Sequence, residues 1–444
     1  MNSSIQNLQD TPFWMPFTPN RAFKQHPRIV NAAKGCWLTT EDDQQVLDAT
    51  AGLWCVNAGH GRQEIADAVH QQIMHLDFSS AFNFGHDIGF AYAERLTSFA
   101  PAGLDHVFFG NSGSEAVDTA LKIAMQYWQV QGKGEKKRFI SRQKGYHGVN
   151  FGGVSVAGIT HNFKNFGQWL MVDHMRHTLD IERNSFSRGL PAEGAELAEE
   201  LAELIAFHGA DTIAAVIVEP IAGAGGVILP PQGYLQRLRE ICDEHDVLLI
   251  FDEVITGWGR TGSTFAAIEF GVTPDLMTSA KGITNATIPL SAVFVSDQIF
   301  NTCMALAPDG VEFFHGYTYS CHPVACAAGM ATLDIYEQEG LLTRAKTDGP
   351  LGSYFENALH SLANLPQVID VRNYGLVGAV ELRPVDGKPG TLGPKALARA
   401  WEKGLMIRGI GDAICMSPPL IISEQEIDQI VQTLNEIIPE LYSA

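Results

Sequence analysis

Two residues of matched chemistry set the terms for this chain. Asp252 ends an apolar run, Val247 to Phe251, and Lys281 follows it 29 residues later. A carboxylate and a primary amine at strand ends are what an aldehyde cofactor requires. The amine condenses with the aldehyde, and the acid keeps a ring nitrogen protonated so that the ring accepts electrons from a carbanion. Pyridoxal phosphate has those two needs. Taken alone, Asp252 could equally cap a turn and Lys281 could be a solvated surface lysine. The surrounding motifs decide between the two.

Asn111 to Glu115 follows a predicted strand at 106–110 and opens a helix whose Val117, Ala120, Leu121, Ala124 and Trp128 share one face. Small residues at such a turn offer N–H groups and hydroxyls to a phosphate, helped by the helix dipole. Ser112 or Ser114 as a plain N-cap explains the same residues. Gly145 to Gly148 follows a strand at 138–141 and sets Tyr146 where a flat ring can be covered on one face. Val254, two residues beyond Asp252 and so on the same side of an extended segment, covers the other. Glu219 ends a strand at 213–218 and brings a third acid to the same edge.

These residues need a scaffold, and the pattern predicts one. At 444 residues the chain exceeds what one hydrophobic core usually supports, so two domains are expected. From about Asp105 to Val295 short apolar runs alternate with helical patterns, as in an α/β domain with a mostly parallel sheet whose ligands gather at the carboxyl ends. The predicted strands are His106 to Gly110, Arg138 to Ser141, Trp169 to Val172, Ile213 to Val218, Val247 to Phe251, Asp275 to Thr278 and Ser291 to Val295. Ala195 to Phe207 and Gly233 to His245 read as helices, with a loop from Asn184 to Gly194. After Pro323 the pattern changes to a long helix, then strands at Val368 to Val371, Leu376 to Leu382 and Leu405 to Arg408. Pro384 to Pro394 reads as a surface loop, and Glu424 to Ile438 as a closing amphipathic helix. The expected division is an N-terminal segment, 1–56, joining the smaller domain to the site, a large domain, 57–322, and a smaller α+β domain, 323–444.

Composition narrows the partners. Fifty acidic against thirty basic residues give a formal charge of −20, which repels a polyphosphate backbone and argues against nucleic acid. Met1 to Asp10 has neither a basic cluster nor an apolar run. The greasiest stretch, Ile213 to Pro231, is broken by Glu219, Pro220 and glycines, so neither a signal peptide nor a membrane span is expected. Seven scattered cysteines suit a reducing compartment, with the cytoplasm as the default. Cys321, His322 and Cys326 lack a second pair to complete four metal ligands, so buried helical thiols are expected there and no metal.

The chain resembles, over essentially its whole length, the class III aminotransferases of the fold-type I pyridoxal phosphate enzymes. Within them it is most similar to the ω-amino acid:pyruvate and β-alanine:pyruvate branch. The resemblance rests on Trp14 to Phe17, Ala51 to Trp54, Asn111 to Glu115, Gly145 to Gly148, Asp252 to Gly262 with Ala280-Lys281, and His315 to Ser320. It implies a large domain with a mostly parallel central sheet plus a smaller α+β domain. It implies pyridoxal 5'-phosphate as cofactor, with Lys281 as Schiff-base lysine and proton carrier and Asp252 on the pyridine nitrogen. Tyr146 and Val254 would sandwich the ring, Ser112 and Gly113 would hold the phosphate, and His147 and Glu219 would complete the surroundings. Thr318 with Tyr317 would reach the phosphate of a neighbouring subunit, implying a homodimer with sites at the interface, a tetramer being left open. Phe17, Trp54, Phe82 and Tyr146 would line the substrate side, and Arg408 would pair with carboxylates. The implied reaction is ping-pong transfer from an ω-amino acid or amine to pyruvate, giving an aldehyde or ketone and alanine.

Three rivals are weighed against this. Gly257, Gly259 and Gly262 spell a dinucleotide fingerprint with Asp275 downstream, but Trp258 and Arg260 put bulk where a pyrophosphate must approach. An aminomutase, a decarboxylating aminotransferase, or an enzyme using taurine or a polyamine would share the same lysine and aspartate and differ in the pocket. A regulator keeping the fold without turnover usually loses the lysine or adds a basic arm, and this chain does neither.

Overall fold

The computed structural model describes Leu8 and residues 11–443. The expectation of no targeting signal in Met1 to Asp10 concerns, Leu8 apart, residues outside those described. Seven strands form the central sheet, in the order His106–Gly110, Ser291–Val295, Leu276–Ser279, Leu248–Asp252, Ile213–Val218, Arg138–Arg142 and Val172–Met175. The last five are mutually parallel. Ser291–Val295 runs against both of its neighbours, so His106–Gly110 points the same way as the five.

Helices cover both faces, and the three central strands are buried at every position, as their unbroken apolar runs require. Side chains alternate between two cores. Ile217 and Ile250 face Val117, Ala120, Leu121, Ala124 and Trp128 of helix Gly113–Val130, while Val216, Val218, Leu249 and Phe251 face the opposite core. Trp128 Nε1 donates to the Ala214 carbonyl at 2.9 Å, so even its polar edge is satisfied.

Two further sheets join the ends of the chain. Val30–Lys34, Trp37–Thr40 and Gln45–Asp48 form a meander that the distant Leu405–Met406 extends in parallel. Val368–Tyr374, Val377–Leu382, Ala413–Met416 and Arg408–Ile410 form an antiparallel sheet. Helices Pro350–His360, Leu392–Glu402 and Glu424–Glu440 belong to the same part of the chain.

Several boundaries differ from the sequence reading. The strand expected at Trp169 to Val172 lies at Val172–Met175, because Trp169 and Leu170 give their N–H groups to Ser155 Oγ instead of a ladder. The loop expected through Pro394 is already helical from Leu392: proline is tolerated in a first turn, and the Asp412 carboxylate receives the N–H groups of Gly390 and Leu392. The run Leu405 to Arg408 is two strands in two sheets, and the crossing at Ile407 puts Arg408 beside Cys415. Ala195 to Phe207 divides into a 3-10 turn, Ala195–Ala198, and an α-helix, Glu199–His208. Cys321 precedes the helix Pro323–Gln338 that contains Cys326.

The glycines at 257–262 serve packing within the protein. A Cβ on Gly259 would stand 3.0 Å from Leu342 Cα, and one on Gly262 would stand 2.6 Å from Lys346 Cα. Between them the fully buried Arg260 donates to the carbonyls of Leu376 and Pro418 and to Asn57 Oδ1, tying three remote segments together. No carboxylate of the described residues pairs with it, and burial pushes its pKa down to about 10. Asp275 likewise acts structurally, accepting from Arg239 and from the Leu249 N–H. Removing the staple leaves buried carbonyls unpaired and a cavity, so Arg260→Ala is expected to cost about 3 kcal/mol or more. A urea midpoint equal to that of the unsubstituted protein would show that the three segments hold without it.

Candidate active site

Five parallel strand ends converge on one edge of the sheet, and each delivers a residue. Gly110 leads to Gly113, Arg142 to Tyr146 and His147, Val218 to Glu219, Leu248–Asp252 ends on Asp252 itself, and Ser279 leads to Lys281. A cavity of about 130 Å³ lies between them, bounded by Gly113, Tyr146, His147, Glu219, Asp252, Val254 and Lys281. Ser114, Gly148 and Ile255 also line it. A larger apolar hollow of about 460 Å³, beside Phe108, Phe300 and Phe313, contains no amine.

Asp252 is held from two sides. Its Oδ2 lies 2.9 Å from Nδ1 of the buried His147, and its Oδ1 accepts from Thr278 Oγ1 and from the Val254 N–H. Thr278 was not foreseen. It sits opposite Asp252 in the parallel ladder, a pairing that no local motif encodes. Glu219 accepts from the N–H groups of Tyr146 and Gly223, each at 2.9 Å. Burial, joined by the charge of Asp252, pushes its pKa up to about 7. Burial likewise raises the Tyr146 phenol, with Asp252 and Glu219 adding to the effect, so its ring faces the cavity uncharged.

Lys281 adopts a left-handed backbone, φ 54°, at the start of the turn Lys281–Thr284. Such a conformation in a residue with a Cβ persists only where the surroundings enforce it. Here Tyr336 OH donates to the Gly282 carbonyl at 2.6 Å and Tyr92 OH to that of Ile283 at 2.9 Å. Burial depresses the Lys281 pKa, and the Arg408 charge acts in the same direction. The nearby Cys55, Asp252 and Glu219 oppose them without prevailing. The neutral amine, which is the nucleophilic form, is thereby favoured.

The donor set fits pyridoxal phosphate. An amine and an oriented carboxylate flank the space, Tyr146 and Val254 offer two walls, and small residues open the helix Gly113–Val130. A Cβ on Gly113 would press on Val254 at 3.2 Å, and one on Gly148 would meet Ser114 Oγ at 2.6 Å, so the cradle admits no bulk at either position. Ser114 also receives the Val149 N–H, linking the two loops. Gly148 and Ser114 lie inside the motifs already singled out, and their roles emerge only from this contact.

The remaining site residues lie outside the cavity. Ser112 caps the helix Gly113–Val130 by accepting from the Glu115 N–H. Tyr317 OH reaches Thr119 Oγ1 and the Glu115 carbonyl of its own chain, and Thr318 is exposed. Phe17 and Phe82 are exposed, Phe82 lying against Gly316. Trp54 is buried in a loop where Ala51, Gly52 and Trp54 all have positive φ. The buried Asp48 braces that loop, accepting from Thr50, Gly52 and His60. Arg408 makes no ion pair with a described residue, and its buried Nε has no hydrogen-bond partner.

Comparison with known proteins identifies the family. Residues 19–438 match the family model for class-III aminotransferases. The chain is 52% identical to an omega-aminotransferase of Caulobacter vibrioides, with 97% of each chain covered. It is 47% identical to a beta-alanine--pyruvate aminotransferase of Pseudomonas aeruginosa, over 98% of this chain and 97% of the other. It also superposes with a TM-score of 0.89 on an amine transaminase from an uncultivated Pseudomonas species, solved in its PLP-bound form, at 37% identity over 97% and 99% of the two chains. With agreement of this extent along nearly its whole length, the chain belongs to the class-III aminotransferase family and has the fold of the fold-type I enzymes.

Proposed function

We propose that this aminotransferase uses pyridoxal phosphate to move an amino group from an ω-amino acid or amine, β-alanine-like in chemistry, to pyruvate in a ping-pong reaction. One observation carries the reading: a buried lysine with depressed pKa stands beside an aspartate fixed by His147 and Thr278. The cofactor, when bound, supplies an electron sink for the charge left when a proton leaves the substrate carbon. Lys281 would hold it, and its amine would carry the proton, since burial shifts that amine toward its neutral form. Asp252 would face the ring nitrogen, Tyr146 and Val254 would wall the ring, and His147 would orient Asp252. Ser112 and Gly113 would take the phosphate, with Glu219 fixing the Tyr146 loop through the Tyr146 N–H.

Arg408 fits the acceptor's carboxylate: it has an unused buried N–H and a charge felt at Lys281. Phe17, Trp54 and Phe82 would form the apolar donor side. The same reading includes a homodimer in which Tyr317 and Thr318 serve the neighbouring subunit's phosphate. Phe314, Phe90 and Phe84, at 94%, 74% and 73% exposure, are the kind of surface such an interface buries. It also includes the division 1–56, 57–322 and 323–444 and a cytoplasmic location. Among the described residues no helix is long and apolar enough to cross a membrane. The alternative is another reaction of the family, an aminomutase or transfer from taurine or a polyamine. An amino group returning to the original carbon skeleton would identify the former.

The first test is the visible spectrum of the purified protein. A yellow band that bleaches with β-alanine and returns with pyruvate is expected; a yellow protein indifferent to β-alanine would reject that donor, and a protein colourless after added pyridoxal phosphate would reject the cofactor. Lys281→Ala should fold and lose turnover by about a thousandfold or more, and substantial remaining turnover would remove Lys281 from the chemistry. Arg408→Ala should raise the KM for pyruvate about tenfold or more while sparing an amine donor that lacks a carboxylate. Equal losses on both substrates would dismiss carboxylate pairing.

A further inference from the structure

Cys321 and Cys326 are placed to react with each other. Their sulfurs lie 3.8 Å apart, and no other pair of thiols among the described residues makes such a contact. Cys321 sits just before the helix Pro323–Gln338, whose N-cap is His322, so its sulfur is near the positive end of a helix dipole. Cys326 lies inside that helix and is fully buried, whereas Cys321 is only half-buried. The two thiols are therefore unequally buried within the subunit. The contact between the two sulfurs lowers the pKa of Cys321 and raises that of Cys326, burial adding to the rise.

The backbone around Cys321 is held in place. Its φ is 57°, a left-handed value for a residue with a side chain. The His86 Nε2–H donates to its carbonyl at 2.7 Å, since His86 Nδ1 already accepts from the Gly89 N–H. Gly89 packs so closely that a Cβ there would stand 2.6 Å from Cys321 Sγ. The attacking sulfur is thus packed close both to Gly89 and to its partner thiol.

We propose that Cys321 and Cys326 form a reversible redox-modification site, a dithiol that a hydroperoxide oxidises to an intrachain disulfide. The Cys321 thiolate attacks the terminal peroxide oxygen, the O–O bond breaks, and Cys321 becomes a sulfenic acid while an alcohol or water leaves. The Cys326 thiol then attacks that sulfur, the S–O bond breaks, and water departs with the second proton. In sum, two thiols lose two hydrogens and the hydroperoxide is reduced. The sulfurs must close by roughly 1.8 Å to reach bonding distance. Cys321 directly follows the turn Tyr317 to Ser320, in which the Ser320 N–H donates to the Tyr317 carbonyl and the Tyr317 N–H donates to Ser320 Oγ, so the movement is transmitted to the end of that turn. In a reducing compartment the dithiol is the resting form, and the disulfide a transient one.

The experiment treats the purified, cofactor-loaded protein with hydrogen peroxide, quenches it in acid, unfolds it and alkylates free thiols. The expected result is a peptide containing both cysteines that is lighter by two hydrogens and unalkylated at both, with full alkylation restored by prior dithiothreitol. In Cys326→Ser, peroxide should leave a sulfenic acid on Cys321 that dimedone traps. Full alkylation of both cysteines in oxidised unsubstituted protein would overturn the proposal. So would a disulfide joining either cysteine to one of the other five, or accumulation of sulfinic acid at Cys321 in place of the disulfide. The unsubstituted protein decides these points whether or not the serine variant folds.

Discussion

Keeping an amine out of water is the constraint on which the rest of this structure depends. A buried lysine is tolerated when its charge is given up, and burial here depresses the pKa of Lys281 even with Asp252 and Glu219 nearby. Glu219 bears the complementary cost, since the same burial and the charge of Asp252 lift its own pKa to about 7. The groups are thus poised against one another, as expected where proton movement is the task. Such a balance fails if any member drifts. Its members are accordingly tied to backbone: Glu219 to two N–H groups, Asp252 to Val254, and the turn after Lys281 to two buried tyrosines.

Those ties explain why the scaffold spends so much buried polarity around one edge of a sheet. Arg260 joins Asn57, Leu376 and Pro418, and Glu253 receives two N–H groups and the Thr256 hydroxyl. Burial lifts the Glu253 pKa to about 7 as well, so this carboxylate does not sit free of strain. Apolar residues of similar volume would stabilise at least as well in general. What the polar contacts add is direction: each fixes one loop against one other loop, which is the requirement for holding Lys281 and Asp252 in register.

The legible part of the site was the part built from local pattern. Unbroken apolar runs ending in Glu219 and Asp252 identify central parallel strands, because only a strand covered on both faces can afford them. Gly113, Ser114 and Tyr146 each follow a strand and line one cavity, whereas Ser112 serves as the N-cap of the helix Gly113–Val130. What remained hidden depends on partners remote in the chain. The N–H groups of Trp169 and Leu170 go to Ser155, so an apolar tetrapeptide that looks like a strand is not one. Asp412 starts a helix inside a proline- and glycine-rich stretch. Thr278 belongs to the site through the register of two strands, and the sheet of three strands before residue 50 is completed by Leu405–Met406, which pairs with the last of them, Gln45–Asp48, from the far end of the sequence.

That last pairing has a mechanical consequence. Leu47 and Asp48 are paired with Leu405 and Met406, so the strand that ends at the Trp54 loop and the segment that leads to Arg408 share one short parallel ladder. The Ala49 N–H donates to the Met406 carbonyl at 3.1 Å, and the Ser417 N–H donates to that of Ala49 at 2.8 Å, which locks the loop's root between the two sheets. Asp48 then sets the loop's shape through Thr50, Gly52 and His60, while the crossing at Ile407 turns Arg408 into the antiparallel sheet. A displacement of the C-terminal sheet cannot reach Arg408 without also pulling on the root of the Trp54 loop. The Trp54 loop and Arg408 are therefore two ends of one connected stretch of backbone pairing. If Arg408 pairs with the acceptor's carboxylate and Trp54 lines the donor side, as proposed above, that linkage keeps the strand of the guanidinium and the Trp54 loop in a fixed relation while amine and keto acid are exchanged.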